Sequence, residues 1–226
     1  MHIEPEVVTG AKLFLSYATA AGALGLTAKL ALDSVRDNGG SAALALRSLI
    51  TTALVFCFFE VFPHQAVGVS EVHLILGSTL LLLFGAGATA IGLALGLLLQ
   101  GLLFAQFDLP QYGMNVTTLL VPLWGISLLA KRLIAPGTAY VDLSYKQALA
   151  LSTAYQGGIV AWVGFWAVYG NGFSGENLAA VGSFGLAYMS VILLEPLVDL
   201  GVLAAAKALS SYSRGPLFNA RLHQPA

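Results

Sequence analysis

From Val72 to Phe107 the chain carries no aspartate, glutamate, lysine or arginine. Uncharged apolar runs longer than about 18 residues mark membrane-spanning helices, and this stretch holds more than one such run end to end. Polar side chains are nevertheless planted in it: His73, Gln100 and, just beyond, Asn115. In a bilayer such groups are costly unless they pair, bind something or line a wet cavity. The stretch from Glu71 to Asn115 is therefore expected to form the wall of a site.

The rest of the chain agrees on the solvent. Hydrophobic residues make up 58% and charged residues 9% of the 226 residues, with a mean hydropathy of +0.83. Soluble domains carry roughly 25% charged residues. Strict alternation broken by short turns is missing, so the spans are helices rather than strands of a membrane barrel. A net charge of -1 gives no reason to expect nucleic acid. The single Cys57 cannot form an internal disulfide and reads as a small buried hydrophobe.

Taken in order, MHIEPEVVTG lacks the basic start and small-residue cleavage site of a signal peptide, so Met1 is expected to be the mature terminus. Spans are expected over 11–32, 41–62, from Val72 to the Gly85-Ala86-Gly87 break, on to Phe104, then 114–134, 147–169 and 178–209. The fold class is an all-α polytopic membrane protein of about seven transmembrane helices. The third span is short and glycine-ended, as expected of a helix that lines a cavity rather than simply crossing. Pro196 is expected to kink the last span. Residues 1–209 form one transmembrane domain, and 210–226 a polar tail expected to be disordered. In the first span Ala18 and Gly22, like Ala21 and Gly25, share a helix face that permits close approach of another helix.

Seven spans put the termini on opposite sides. Arg36, Lys131, Arg132, Lys146, Arg214 and Arg221 fall on one side and only Lys12 on the other. The positive-inside rule then makes the carboxyl terminus cytoplasmic and Met1 external. Glu4, Glu6, Glu71, Asp108 and Glu176 form a sparse acidic outer rim.

In this topology Met1, His2 and His73 share one face of the membrane. A free amine, the deprotonated amide of His2 and its imidazole close fused chelate rings with three nitrogens in one plane. His73 would complete a square-planar set, which favours Ni(II) or Cu(II) over tetrahedral zinc or oxygen-loving magnesium and calcium. On residue types alone a solvated His2 and a packed His73 remain open. His64 and His223 read as solvated surface residues. A hydrolase is disfavoured: Ser78 has no GxSxG turn around it and no group to orient a histidine base. A stand-alone metal or cation carrier using intramembrane carboxylates is the better alternative, because Glu195 and Asp199 share a face of the last span.

The opening MHI, His73-Leu-Ile-Leu-Gly77, Gln100-Gly-Leu-Leu-Phe104 and Gly113-Met-Asn115 together resemble the CbiM/NikM family, the metal-binding substrate-capture (S) components of energy-coupling factor (ECF) transporters. The resemblance implies a nickel or cobalt importer subunit, not an enzyme. Met1, His2 and His73 would be metal ligands, with Gln100 and Asn115 orienting the amino-terminal segment. Ni2+ or Co2+ would be the transported substrate, with no permanent cofactor. The partners would be a transmembrane coupling (T) subunit and ATP-binding subunits, since no GxxxxGK[ST] sequence occurs here. The location would be the plasma (inner) membrane. Departures from the family pattern are Glu4-Pro5-Glu6 after MHI, the lead-in Val69-Ser70-Glu71-Val72, and Tyr188 where a histidine is expected seven residues before Glu195.

Overall fold

The computed structural model of the chain describes residues 3–224. It is an all-α bundle with one small hairpin. The order is α1 (Leu13–Asp37), α2 (Gly40–Glu60), β1 (Gln65–Val67), β2 (Ser70–Val72), α3 (Gly77–Phe84), α4 (Ala86–Leu103), α5 (Tyr112–Leu133), α6 (Tyr145–Asn171), α7 (Gly175–Met189) and α8 (Glu195–Ala208). Among the described residues six helical runs are long and apolar enough to cross a membrane: Gly10–Asp37, Gly40–Glu60, Ala86–Leu103, Gln106–Leu133, Tyr145–Asn171 and Gly175–Ala208.

The third expected span is not among them. It is the eight-residue α3, preceded by the irregular segment 73–76. Eight helical residues span about 12 Å, against about 27 Å for the 18-residue α4 beside it. Non-helical backbone survives in segment 73–76 because protein satisfies it. The Ile75 carbonyl accepts from Gln156 Nε2 at 3.1 Å, and the Ile75 N–H donates to the His73 carbonyl at 3.1 Å. Gly85, with φ +84°, makes the break before α4.

The centre of the bundle is α4, which lies against α1, α2 and α5. Glycines on α4 let the backbones close up: a Cβ on Gly96 would stand 2.6 Å from Val55 Cγ1, and one on Gly87 2.7 Å from the Leu30 carbonyl oxygen. This close approach is how helices pack in lipid, where no hydrophobic force drives them together. The glycine-alanine face of α1 behaves differently. Ala18, Ala21, Gly22 and Gly25 are exposed, and a Cβ on Gly22 or Gly25 would meet nothing within 4 Å.

Two further expectations change. The last span is not a long helix kinked at Pro196: it is interrupted by a 3-10 turn at Ser190–Leu193, and Pro196 sits in the first turn of α8. A proline there costs no hydrogen bond, because the N–H it lacks would be an orphan at a helix start. Nor is the tail loose as far as Gln224. Asn219 N–H donates to the Leu83 carbonyl at 2.6 Å, Phe218 stacks on Phe84 at 5.8 Å, and Leu222 is fully buried. Arg221 Nη2 donates to the carbonyls of Ile134 (3.1 Å) and Ala135 (2.8 Å). A few aromatic and apolar residues in a polar sequence were enough to seat it. Arg47 is buried beside the tail, its guanidinium shared by the carbonyls of Ala43, Asn38 and Phe218.

Candidate metal site

At the end of the bundle opposite the tail, residues 3–8 thread between the hairpin and the helix ends. Ile3, fully buried, forms an antiparallel bridge with Ser70, and its N–H donates to Asn115 Oδ1 at 3.0 Å. Glu4 N–H reaches the Val69 carbonyl at 3.3 Å. Gln111 Nε2 donates to the Pro5 carbonyl at 3.2 Å. The segment is thus held as a third strand-like partner beside β2, by side chains from the start of α5 and the turn before it.

The hairpin itself is set by Gly68, whose φ of +63° opens a two-residue loop between the paired Val67 and Ser70. Glycine at the first position is what a type II′ turn requires. Its effect is to aim β2 so that Glu71 and His73 follow at the bundle end.

His73 is 1% exposed. Its Nε2 lies 3.0 Å from Glu71 Oε2. Phe59 meets the ring edge-on at 5.0 Å, and His64 stacks on it at 4.9 Å with 17° between planes. In the neutral ring, a hydrogen on Nε2 donated to Glu71 puts the lone pair on Nδ1, which is how a neighbouring carboxylate selects a histidine tautomer for metal binding. His64 is exposed, as the sequence led us to expect, but its ring covers His73 rather than standing alone in solvent.

Gln100, 6% exposed, directs Nε2 to Glu60 Oε2 at 3.4 Å. Among the described residues its Oε1 has no donor. Asn115 is 1% exposed and holds Ile3. Met1 and His2 lie outside the described residues. Among the described residues no group of three or more His, Cys, Asp or Glu side chains is placed to hold a metal ion.

Carboxylates crowd this end. The Glu4 carboxyl is pushed above its ordinary value by burial first, then by Glu71 and Glu6. Asp108, 6% exposed, also feels Glu71 and Glu4. Of the acidic outer rim read from the sequence, the structure draws Glu4, Glu71 and Asp108 into one negative field, which favours cations.

The sequence profile of the CbiM family, described as the cobalt uptake substrate-specific transmembrane region, matches residues 2–211. The chain belongs to the CbiM family. No curated protein and no solved structure matches it. Membership makes the bundle a multi-pass membrane component of transition-metal uptake, in a family of transporters rather than enzymes.

Proposed function

We propose that this chain is the substrate-capturing membrane subunit of an ECF-type importer for nickel or cobalt ions. It sits in the plasma membrane with Ile3 and His73 outward. The ion is held by the amine of Met1, the amide and ring nitrogens of His2, and Nδ1 of His73. Glu71 fixes the His73 tautomer, Asn115 seats the amino-terminal segment, and Gln100 stands at the edge of the same end of the bundle. A coupling subunit and ATPases supply the energy, because this chain has no phosphate-binding loop of its own.

The observation that carries the reading is the seating of Ile3. It is bonded to Asn115 and bridged to Ser70, three residues before His73, and two residues of chain reach at most about 7 Å. The described chain thus begins beside β2, the strand that leads into His73, and this supports the reading.

Titration calorimetry with nickel and cobalt on protein in lipid nanodiscs tests this. Binding through an amine, an amide and two imidazoles must release protons. With reference values near 6.5 for imidazole and 8 for the amine, roughly two or more protons should leave per ion at pH 7. Adding one residue before Met1 should abolish binding. A proton count near zero, or unchanged affinity in the extended chain, refutes the ligand set.

A further inference from the structure

A second polar cluster lies deep between α3, α6 and α8, away from the proposed metal ligands. Glu195 and Asp199 on α8 are both fully buried. Glu195 Oε2 accepts from Ser152 Oγ at 2.5 Å and Gln156 Nε2 at 2.7 Å. Thr79 Oγ1 is bonded to Asp199 Oδ1. Between the two carboxyls stands Ser78, its Oγ 3.1 Å from Glu195 Oε1 and 2.8 Å from Asp199 Oδ2.

Hydrogen counting decides the charge state. A serine hydroxyl has one hydrogen and further acceptor capacity. It can donate to one carboxylate oxygen, but two ionised carboxylates offer it nothing to accept. Both short distances are satisfied only if one carboxyl carries a hydrogen and donates it to Ser78 Oγ. We propose that Glu195 and Asp199 form a proton-binding site in the membrane interior, holding one exchangeable proton between them through Ser78.

The surroundings support a singly charged pair. No side chain of α3 at the cluster is titratable. α6 contributes Tyr155 and α7 Tyr188, both fully buried, both close enough to feel the charge of Glu195, and both with hydroxyls that have no partner among the described residues. Gln156 Oε1 is likewise without a partner among the described residues. The one cation on α8, Lys207, is exposed and bound to Asp142 at 2.5 Å. Two bare charges in such a place, without a cation, would carry a large desolvation cost.

Infrared spectroscopy of the metal-free protein in nanodiscs reads the proton directly, independently of nickel binding. At pH 7 the wild-type protein should show the C=O stretch of a protonated carboxylic acid. Carbon-13 labelling of aspartate and glutamate carboxyls should shift it, which needs no mutation. The band should vanish in both E195Q and D199N, since the amide removes the like charge that keeps the proton bound, and should move in S78A. A band missing from the wild-type protein at pH 7, or one that survives both substitutions, overturns the proposal. So does a band that appears only after chelation and sodium removal, because a metal cation would then occupy the proton's place.

Discussion

Replacing Asn115 by leucine removes one acceptor at nearly constant volume and tests whether seating Ile3 is what permits metal capture. The Ile3 N–H is buried and bonded to Asn115 Oδ1 at 3.0 Å. Left unpaired, a buried donor costs about 1–3 kcal/mol. That loss matters only if the segment is weakly held to begin with. Ile3, Val7 and Val8 are buried, worth about 5–9 kcal/mol together at about 1.5–3 kcal/mol each. Three hydrogen bonds add about 1.5–4.5 kcal/mol. Ordering six residues costs about 6–12 kcal/mol in backbone entropy. The terms nearly cancel, so docking is marginal and a loss of about 1–3 kcal/mol should undock most of the population.

Apparent metal affinity falls by the fraction of chains still docked. The expected loss for Asn115→Leu is therefore about 5- to 150-fold, the factor that about 1–3 kcal/mol represents. Asn115→Asp keeps the shape and the acceptor oxygen and should lose much less. Nickel titration of both variants, with thermal unfolding to confirm an intact bundle, separates the cases. Wild-type affinity in Asn115→Leu, or equal losses in both variants, would show that the Ile3 hydrogen bond does not control access to the ion.

Glu71→Gln should weaken nickel binding about 10- to 100-fold, the usual effect of losing a carboxylate that orients a ligating histidine; His73→Ala should lose more, and His64→Ala less than either, by calorimetry. Glu4 gives a pH test: its carboxyl is raised from the ordinary 4.5 by burial, Glu71 and Glu6, so the fold favours its protonated form. The stabilisation is complete below 4.5 and disappears as pH rises through the folded-state value. Glu4→Gln should therefore raise thermal stability at pH 7 and leave it unchanged near pH 4, and the reverse order would contradict the burial argument. Leu222→Asp should release the tail, read as faster proteolysis between Ser213 and Leu222, while nickel binding at the far end stays as in wild type.

The helical bundle could be read from the sequence because bilayer-length apolar runs are a one-dimensional signal. What escaped was everything fixed by partners far away in the chain. Segment 73–76 is irregular because Gln156 caps Ile75, a pairing across 81 residues that no local pattern announces. The hairpin did leave a trace, Val-Gly-Val between alternating residues, but in a nine-residue link it looked like loop. His64 looked solvated because stacking on His73 depends on the hairpin's return. Tyr188 stood out only as a departure from the family pattern; the structure buries it close enough to feel the charge of Glu195. The tail failed for a different reason. Its polar composition is real, yet Phe218, Leu222 and Arg221 find ready-made partners at the ends of α3 and α5.

The two polar centres are joined by one short piece of chain. His73 opens it, Ile75 is tied to Gln156, and Ser78 and Thr79 reach the carboxyls of α8. Gln156 Nε2 touches both the Ile75 carbonyl and Glu195 Oε2. Among the described residues no lysine or arginine is bonded to the carboxyl pair, so a second charge there is expected to strain the seam between α3 and α8 and to shift the segment that carries His73. Linkage requires the effect to be reciprocal: if the proton changes nickel affinity by some factor, nickel changes proton affinity by the same factor. Asp199→Asn removes the second charge permanently. Its nickel affinity should match wild type at pH 7 and diverge from it only above the pH at which the wild-type carboxyl band disappears. That pH should itself move when nickel is bound. If the band titrates identically with and without nickel, the segment is rigid and the two centres act independently.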